Sequence, residues 1–328
     1  MNSNSDMQLR KKYNPILIAG LLFASGWVFT GCQQTVYFDI DTQENRLVVN
    51  GFIQPGTDAD LRVTLSQDPL AIGFEDVVVE DAIITLYRNN DIAGTFEHTG
   101  SGVYILDAAS ILAAPGDVIS LTAEAEGRTT VTTSTVIPTE VPITACYISD
   151  TILEPLSYSA YDSLGNVIII DTVVPYYEIK LSFEDPAGKD RYMFNVQYDD
   201  VFGSTSACFS SDEPSFALED YNVIGTDESA ERITYCYEVI FSDITFDGEL
   251  HTITVLVYAI DTTFTTDPKY LISLKHVSEE YYQYYTTSRA QDVNGDNPFS
   301  TPVVVFSNIE NGFGIFAGFT EKISTILL

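Results

Sequence analysis

The first half of the chain contains short runs of Val, Ile, Thr, Tyr and Phe, separated by Gly, Pro, Asn and Asp. Apolar and polar residues alternate within several runs, a pattern typical of β-strands with one buried side and one solvent-facing side. The runs predict strands at residues 46–54, 61–66, 82–88, 92–98, 103–107, 117–125 and 129–137. Seven short strands at this spacing predict an immunoglobulin-like β-sandwich over residues 46–139.

Two local signals support this division of the chain. Asn89-Asn90-Asp91 separates two of the runs, and because Asn and Asp tolerate positive φ angles, it predicts a tight hairpin turn. Pro138 and Pro142 follow the last run and predict a domain boundary. A second domain is therefore expected to span residues 140–328.

The second domain is also predicted to be β-rich. Alternating segments predict strands at residues 176–184, 191–199, 232–241, 250–260 and 269–276. The stretch 202–231 between them is polar and acidic, which predicts a long loop or excursion. The fold class predicted for the whole chain is all-β, with one helix near the C-terminus.

That helix is predicted at residues 278–290, SEEYYQYYTTSRA. Ser278 suits the N-cap position, and two glutamates follow it in the first turn, where they favour the helix dipole. Tyr281, Tyr284 and Tyr285 share one face by their spacing. We expect this face to pack against the sheet; a recognition face is the alternative, because Tyr also suits interfaces.

The N-terminus has the pattern of a signal peptide. Arg10, Lys11 and Lys12 precede an apolar stretch of residues 15–30, which is too short to span a bilayer as a helix. The run Phe29-Thr30-Gly31-Cys32 looks like a bacterial lipobox, although Leu is usual where Phe29 stands. We therefore expect residues 1–31 to be removed, Cys32 to be lipidated, and residues 32–45 to form a tether.

The chain carries a formal net charge of −32. A surface of this sign repels phosphate backbones, so nucleic acid is excluded as a partner. Direct adsorption to anionic lipid is disfavoured for the same reason. Solubility of an exposed domain accounts for the acidity most simply, and divalent-cation sites are the alternative.

Three cysteines remain beyond Cys32, and none has the spacing of a metal site. Disulfides can form in the compartment that the signal peptide indicates. Cys208 and Cys236 lie in or near predicted strands and could pair. Cys146 would then remain as a small buried residue.

The residues that usually carry catalysis are scarce. His98, His251 and His276 are the only histidines, and neither an HExxH pattern nor a GxSxG elbow occurs. Gly312, Gly314 and Gly318 lack the context of a dinucleotide loop, and we expect them to let a terminal strand bend or pack closely. The sequence therefore predicts a protein that is not an enzyme and has no cofactor.

Two binding chemistries remain as alternatives. Asp292, Asn294 and Asp296 offer oxygen ligands at alternate positions, but the Gly and Glu that a calcium loop requires are replaced by Asn297 and Val303. A polar Asn-Gly turn is favoured there, with calcium as the alternative and no metal predicted elsewhere. A glycan-binding surface could use tyrosines, although the only tryptophan, Trp27, lies in the signal peptide.

Three stretches of the mature chain resemble a known family. They are VYFDIDTQENRLVVNGFI near the N-terminus, VPITACYISD after the first domain, and the C-terminal block from YYQYYTTSRA to DNPFSTPVVVFSNIENGFGIFAGF. The chain resembles the Bacteroidota lipoproteins catalogued as domain of unknown function 4249. The resemblance implies an outer-membrane lipoprotein, commonly encoded beside a TonB-dependent receptor, with no assigned activity.

These observations lead to a functional hypothesis. We expect a lipid-anchored accessory or binding protein that contacts a TonB-dependent β-barrel receptor or another outer-membrane protein. A structural or assembly subunit and a surface glycan-binding protein are the alternatives. Loops carry recognition in sandwiches, so the expected contacts lie in 202–231 and in the loop after the helix, at Asp220, Asp227, Asp292, Asp296 and Phe299.

Overall fold

A computed structural model describes residues 45–67, 76–219, 232–259, 267–295, 301 and 303–328. The described residues form nineteen strands and three helices. The strands are β1 Leu47–Ile53, β2 Ala59–Leu65, β3 Val77–Val78, β4 Ile83–Arg88, β5 Asp91–Thr95, β6 Glu97–Gly100, β7 Val103–Leu106, β8 Val118–Glu124, β9 Val131–Val136, β10 Ile143–Tyr161, β11 Val167–Glu184, β12 Arg191–Asp200, β13 Gly203–Ser206, β14 Phe209–Ser211, β15 Ile233–Tyr235, β16 Val239–Ser242, β17 Leu250–Tyr258, β18 Lys269–Val277 and β19 Phe313–Leu327. The helices are α1 Ala108–Ile111, α2 Pro214–Glu219 and α3 Glu279–Gly295.

The first sandwich agrees with the predicted strands, except that the strand predicted at 92–98 is divided into β5 and β6, which belong to different sheets. A sheet containing β1, β2, β7 and β6 faces the four-stranded sheet β5-β4-β8-β9. Alternate residues of both sheets meet in one core, which includes the fully buried Val49, Ile84 and Leu121. The predicted hairpin turn is confirmed, because Asn89 and Asn90 both have positive φ, 51° and 73°, between β4 and β5.

The second sandwich encloses a separate aromatic-rich core. The five-stranded sheet β10-β11-β17-β14-β15 covers β12, β18 and β16. Phe183, Phe194, Phe209, Phe216 and Tyr235 are buried between these layers. Phe209 contacts Phe194 and Phe216 edge-on, and Phe216 contacts Tyr235 in the same way. Aromatic pairs in these orientations add stabilisation beyond the burial of their area.

The two sandwiches share strand β19. Its first half pairs in parallel with β1, from Val48↔Phe313 to Ile53↔Gly318, and its second half pairs antiparallel with β18. One ten-stranded sheet therefore runs through both sandwiches, and residues 44–328 form one compact unit. This corrects the predicted division into 46–139 and 140–328, because Ile309 and Phe316 belong to the first core.

Helix α3 covers the back of the shared sheet. It begins after Ser278, whose hydroxyl accepts a hydrogen bond from the Tyr281 amide at 3.3 Å, as a helix N-cap does. Tyr281 is buried, and Tyr284 and Tyr285 pack against the same cluster. The predicted core role of this tyrosine face is confirmed.

Three segments differ from the predicted elements. Residues 143–161 and the first half of β11 were not predicted as strands, yet they form the longest hairpin of the fold. Residues 202–219 contain β13, β14 and α2 where a loop was expected. Helix α3 continues to Gly295, so Asp292 and Asn294 lie on a helix and do not form the predicted Asn-Gly turn.

Candidate functional site

The most distinctive surface feature is the outer part of the β10–β11 hairpin, residues 150–175, which we call the ribbon. Strand β11 pairs with β17 only as far as Tyr176↔Tyr258. Beyond that point, among the residues that the structure describes, β10 and β11 pair only with each other, from Leu153↔Pro175 to Tyr161↔Val167. At about 3.4 Å per residue, these paired strands extend roughly 30 Å past the end of β17.

Local sequence explains why the ribbon forms. Residues 167–174, VIIIDTVV, are rich in β-branched side chains, which favour extended backbone. Asp162 closes the turn, because its Oδ1 accepts hydrogen bonds at 2.8 Å from the amides of Leu164 and Asn166. Hydrogen bonds from the side chain and backbone of Asn166 also hold the pKa of Asp162 below its usual value.

The ribbon exposes large apolar side chains. Alternate residues of each strand point to one face, which carries Leu153, Tyr161, Val167, Ile169 and Val173. We call this the exposed face. Ile169 is 72% exposed and Tyr161 77%, and Leu164 at the turn is 84% exposed. The opposite face carries further apolar residues, of which Leu156 and Ile168 are 40% exposed and Tyr158 47%.

The charge of the ribbon has one sign. Residues 150–175 contain four carboxylates, Asp150, Glu154, Asp162 and Asp171, and no Lys, Arg or His. Glu154 forms an ion pair at 3.2 Å with Arg232. That pair is partly exposed on both sides and contributes little stability. The charged side chains of the ribbon are therefore all acidic, and Asp171 lies on the exposed face itself, opposite Ser157.

An isolated two-stranded hairpin is marginally stable in water. Contiguous apolar patches of this kind mark interaction sites in soluble proteins. A partner that covered the ribbon would therefore stabilise it. We take the ribbon as the candidate binding site.

A second cluster of polar residues lies at the junction of the two sandwiches. Oxygen atoms of Asp185, Asp190 and Asp243 come within 4.8 Å of one another, a spacing that could hold a metal ion. The Tyr192 hydroxyl and the Gly248 amide donate to Asp185. The Asp190 amide donates to Asp243 at 2.9 Å.

His276 joins this acidic cluster to the segment between the sandwiches. Its Nε2 lies 2.8 Å from Asp190 Oδ1 and its Nδ1 lies 2.7 Å from the Thr139 carbonyl oxygen. Burial raises the pKa values of Asp185 and Asp190. Protein groups thus already bond these carboxylates, and the cluster acts as a structural junction.

A pH-dependent stability is expected from Asp190. A raised carboxyl pKa means that the folded state binds the proton more tightly than the unfolded chain does. The contribution of Asp190 to the free energy of unfolding is therefore greatest in acid. Relative to Asp190→Asn, whose amide oxygen still accepts from His276, wild-type unfolding free energy should fall as pH rises from about 4 through the raised pKa. Urea titrations of both proteins across this pH range measure the difference. A difference that is constant or that increases with pH contradicts the assignment.

The predicted site residues fall into three groups. Cys32, Asp220, Asp227, Asp296 and Phe299 lie outside the described residues. Asp292 is exposed on α3. Cys208 and Cys236 form a disulfide, and Cys146 is free and half-buried.

Neither the ribbon nor the acidic cluster was predicted from the sequence. The β-branched run at 167–174 was the available signal for the ribbon. The cluster had none, because Asp243 lies more than 50 residues beyond Asp185 and Asp190, which share the β11–β12 connection, and only the fold brings the three together. Within the described ranges, no helix is long and apolar enough to cross a membrane.

The fold and the ribbon define a class: an all-β protein of two sandwiches joined through a shared sheet, with a projecting apolar hairpin. The chain belongs to the family described as a domain of unknown function, DUF4249, whose profile matches residues 34–325. No curated protein matches the chain.

One similar solved structure is a protein of Corynebacterium diphtheriae provisionally described as membrane anchored. It is 14% identical, with a TM-score of 0.22, over 71% of this chain and 54% of that one. The chain thus spans about half the length of that protein, and a similarity of this size supports no conclusion about fold or function.

Proposed function

We propose that this chain is a lipid-anchored outer-membrane protein, not an enzyme, that works by binding another envelope protein through the ribbon. The partner we propose is a TonB-dependent β-barrel receptor, with this chain as an accessory subunit in nutrient import. Lipidation at Cys32 would hold the compact β unit at the membrane by a tether. The exposed apolar ribbon is the observation that carries the proposal.

Magnitudes favour a protein partner. Burying one large aliphatic side chain contributes about 1.5–3 kcal/mol, so covering several exposed-face residues suffices for a specific complex after the cost of association. The four carboxylates of the ribbon favour a partner that combines basic residues with an apolar surface. The same carboxylates disfavour an anionic lipid surface.

The test replaces exposed-face residues by a charge. Ile169→Glu is expected to lower the amount of receptor that co-purifies from native outer membranes by at least tenfold, because a carboxylate would be buried without a partner. Its melting temperature should stay at the wild-type value, since the side chain is 72% exposed in the free protein.

A matched control lies on the first sandwich. Ile92 on β5 is also 72% exposed, so Ile92→Glu makes the same chemical change away from the ribbon and should leave co-purification unchanged. Cys32→Ala should leave unprocessed precursor and yield no lipid-modified mature protein, and normal cleavage with outer-membrane partitioning would contradict lipidation at Cys32. Wild-type recovery of the receptor with Ile169→Glu, or no receptor recovered with the wild type, would refute the proposal.

A further inference from the structure

The backbone of the ribbon has an open edge whose direction can be worked out. In an antiparallel pair, successive residues direct their N–H and C=O groups alternately toward the partner strand and away from it. The Asp162 amide donates to the Asn166 carbonyl at 2.9 Å, so the pair 162↔166 bonds inward. Pro175, paired with Leu153, instead directs its carbonyl to the Ala259 amide, away from β10.

These two observations agree with one register along the whole ribbon. The pairing shows no shift between Leu153↔Pro175 and Tyr161↔Val167. Odd-numbered residues of β10 therefore direct their backbone groups to the free side, because β10 is the last strand of its sheet. Ser157, Ser159 and Tyr161 each present an N–H and a C=O there, and the described residues form no hydrogen bond to these groups.

Folded proteins usually protect such edges with proline, lysine or a bulge. The base of β10 has two of these devices: a bulge between Ile148 and Asp150, and Pro155, which offers no N–H. From Ser157 to Tyr161 none of the three is present. The protected part of the edge ends where the ribbon becomes most exposed.

We propose that an extended segment of the protein partner adds to β10 at Ser157–Tyr161 as a third strand. This inference rests on the proposed function and names its binding mode. Addition of a strand gives main-chain hydrogen bonds, while alternate side chains select the sequence. A third strand also supplies what a two-stranded ribbon lacks for stability.

Charge selects the chemistry of the added segment. Among the described residues, one cation, Arg232, forms an ion pair with a carboxylate of the ribbon, Glu154. The segment that fits is extended, with alternating apolar and basic residues. A second copy of this chain does not fit, because it would bring four more carboxylates to the edge and adds a second charge of −32.

The first test changes only the free edge. Ser159→Pro removes one outward N–H, and the ring faces the side where proline is tolerated in an edge strand. We expect it to lower receptor co-purification at least tenfold while the melting temperature stays unchanged. Ser159→Ala removes the hydroxyl, keeps the N–H, and should bind as the wild type does.

Comparison of Ser159→Pro with Ile169→Glu separates failure of strand addition from failure of the proposed function. If Ile169→Glu lowers co-purification and Ser159→Pro does not, the partner packs on the exposed face and strand addition is wrong. If neither variant lowers it, the proposed function fails as well.

A second test uses a defined probe with the full-length mature protein in detergent micelles. The probe is a seven-residue peptide of alternating Lys and Val, compared with alternating Glu and Val and with a Lys-Val peptide methylated on alternate amide nitrogens. Only the first should slow hydrogen exchange of the Ser157, Ser159 and Tyr161 amides, by at least tenfold.

The inward amides of Tyr158 and Ala160 are the internal control, because they already belong to the ladder. No slowing at saturating Lys-Val peptide contradicts strand addition. Slowing by vesicles of phosphatidylglycerol or phosphatidylcholine, and not by the peptide, would assign the edge to a lipid surface and overturn the proposal.

Discussion

Gly314→Ala is expected to lower the free energy of unfolding by about 3 kcal/mol, since backbone strain and a steric clash act together. Gly314 has a φ of +108°, and an added Cβ would lie 2.1 Å from the Val49 carbonyl oxygen. Relief of this contact requires β19 to move away from β1. The pairing of β1 with β19 joins the C-terminal strand to the first sandwich.

Gly100→Ala is the matched control for this prediction. Gly100 has a similar φ of +118°, but an added Cβ would have no heavy atom within 4 Å. It should therefore cost only the conformational part, about 1 kcal/mol. Urea unfolding of the two variants measures the difference, and equal losses would mean that the β1–β19 contact does not limit stability.

Removal of the Cys208–Cys236 disulfide is expected to cost about 3 kcal/mol of unfolding free energy in the chain-entropy model. The two cysteines are 28 residues apart and bracket β14 and β15. These strands carry Phe209 and Tyr235, which stack at 5.5 Å in the second core. Removal of the disulfide therefore increases the conformational entropy of the unfolded chain. It also loosens the packing of β14 and β15 in the folded protein.

The double variant Cys208→Ser/Cys236→Ser tests this by chemical denaturation under oxidising conditions. Cys146→Ser is the control: this thiol forms no disulfide, and burial raises its pKa to about 11. It should change stability much less than the double variant. The disulfide has no stabilising role if the double variant and the wild type unfold at the same denaturant concentration.

Local sequence patterns predicted the strands that have one buried side and one solvent-facing side. Strands β1, β4 and β8 alternate between buried and solvent-facing positions. The Asn89-Asn90 turn and the Ser278 cap are set by neighbouring residues, and both were predicted. Such features need no knowledge of distant parts of the chain.

The ribbon escaped prediction because its sequence lacks that asymmetry. Apolar residues occupy both faces, as in the consecutive Ile168, Ile169 and Ile170, and Pro155 interrupts the pattern in β10. Alternation reports burial on one side of a sheet. A strand pair that is exposed on both faces gives no such signal.

The pairing of the terminal strand β19 with β1 escaped prediction for a different reason. Its pairing with β1 joins residues that are more than 250 positions apart, from Val48↔Phe313 onward. No local pattern encodes that contact, although Gly314 and Gly318 indicated close packing of a terminal strand. The consequence is one compact unit where two domains were expected.

Photo-crosslinking in intact outer membranes tests most directly whether the ribbon is the contact surface. A photoreactive residue would replace Ile169 on the ribbon or, in a separate protein, Ile92 on the first sandwich, since the two positions are equally exposed. We predict a single crosslinked β-barrel protein from position 169 and none from position 92. Crosslinking of that barrel from position 92 and not from position 169 would contradict the account.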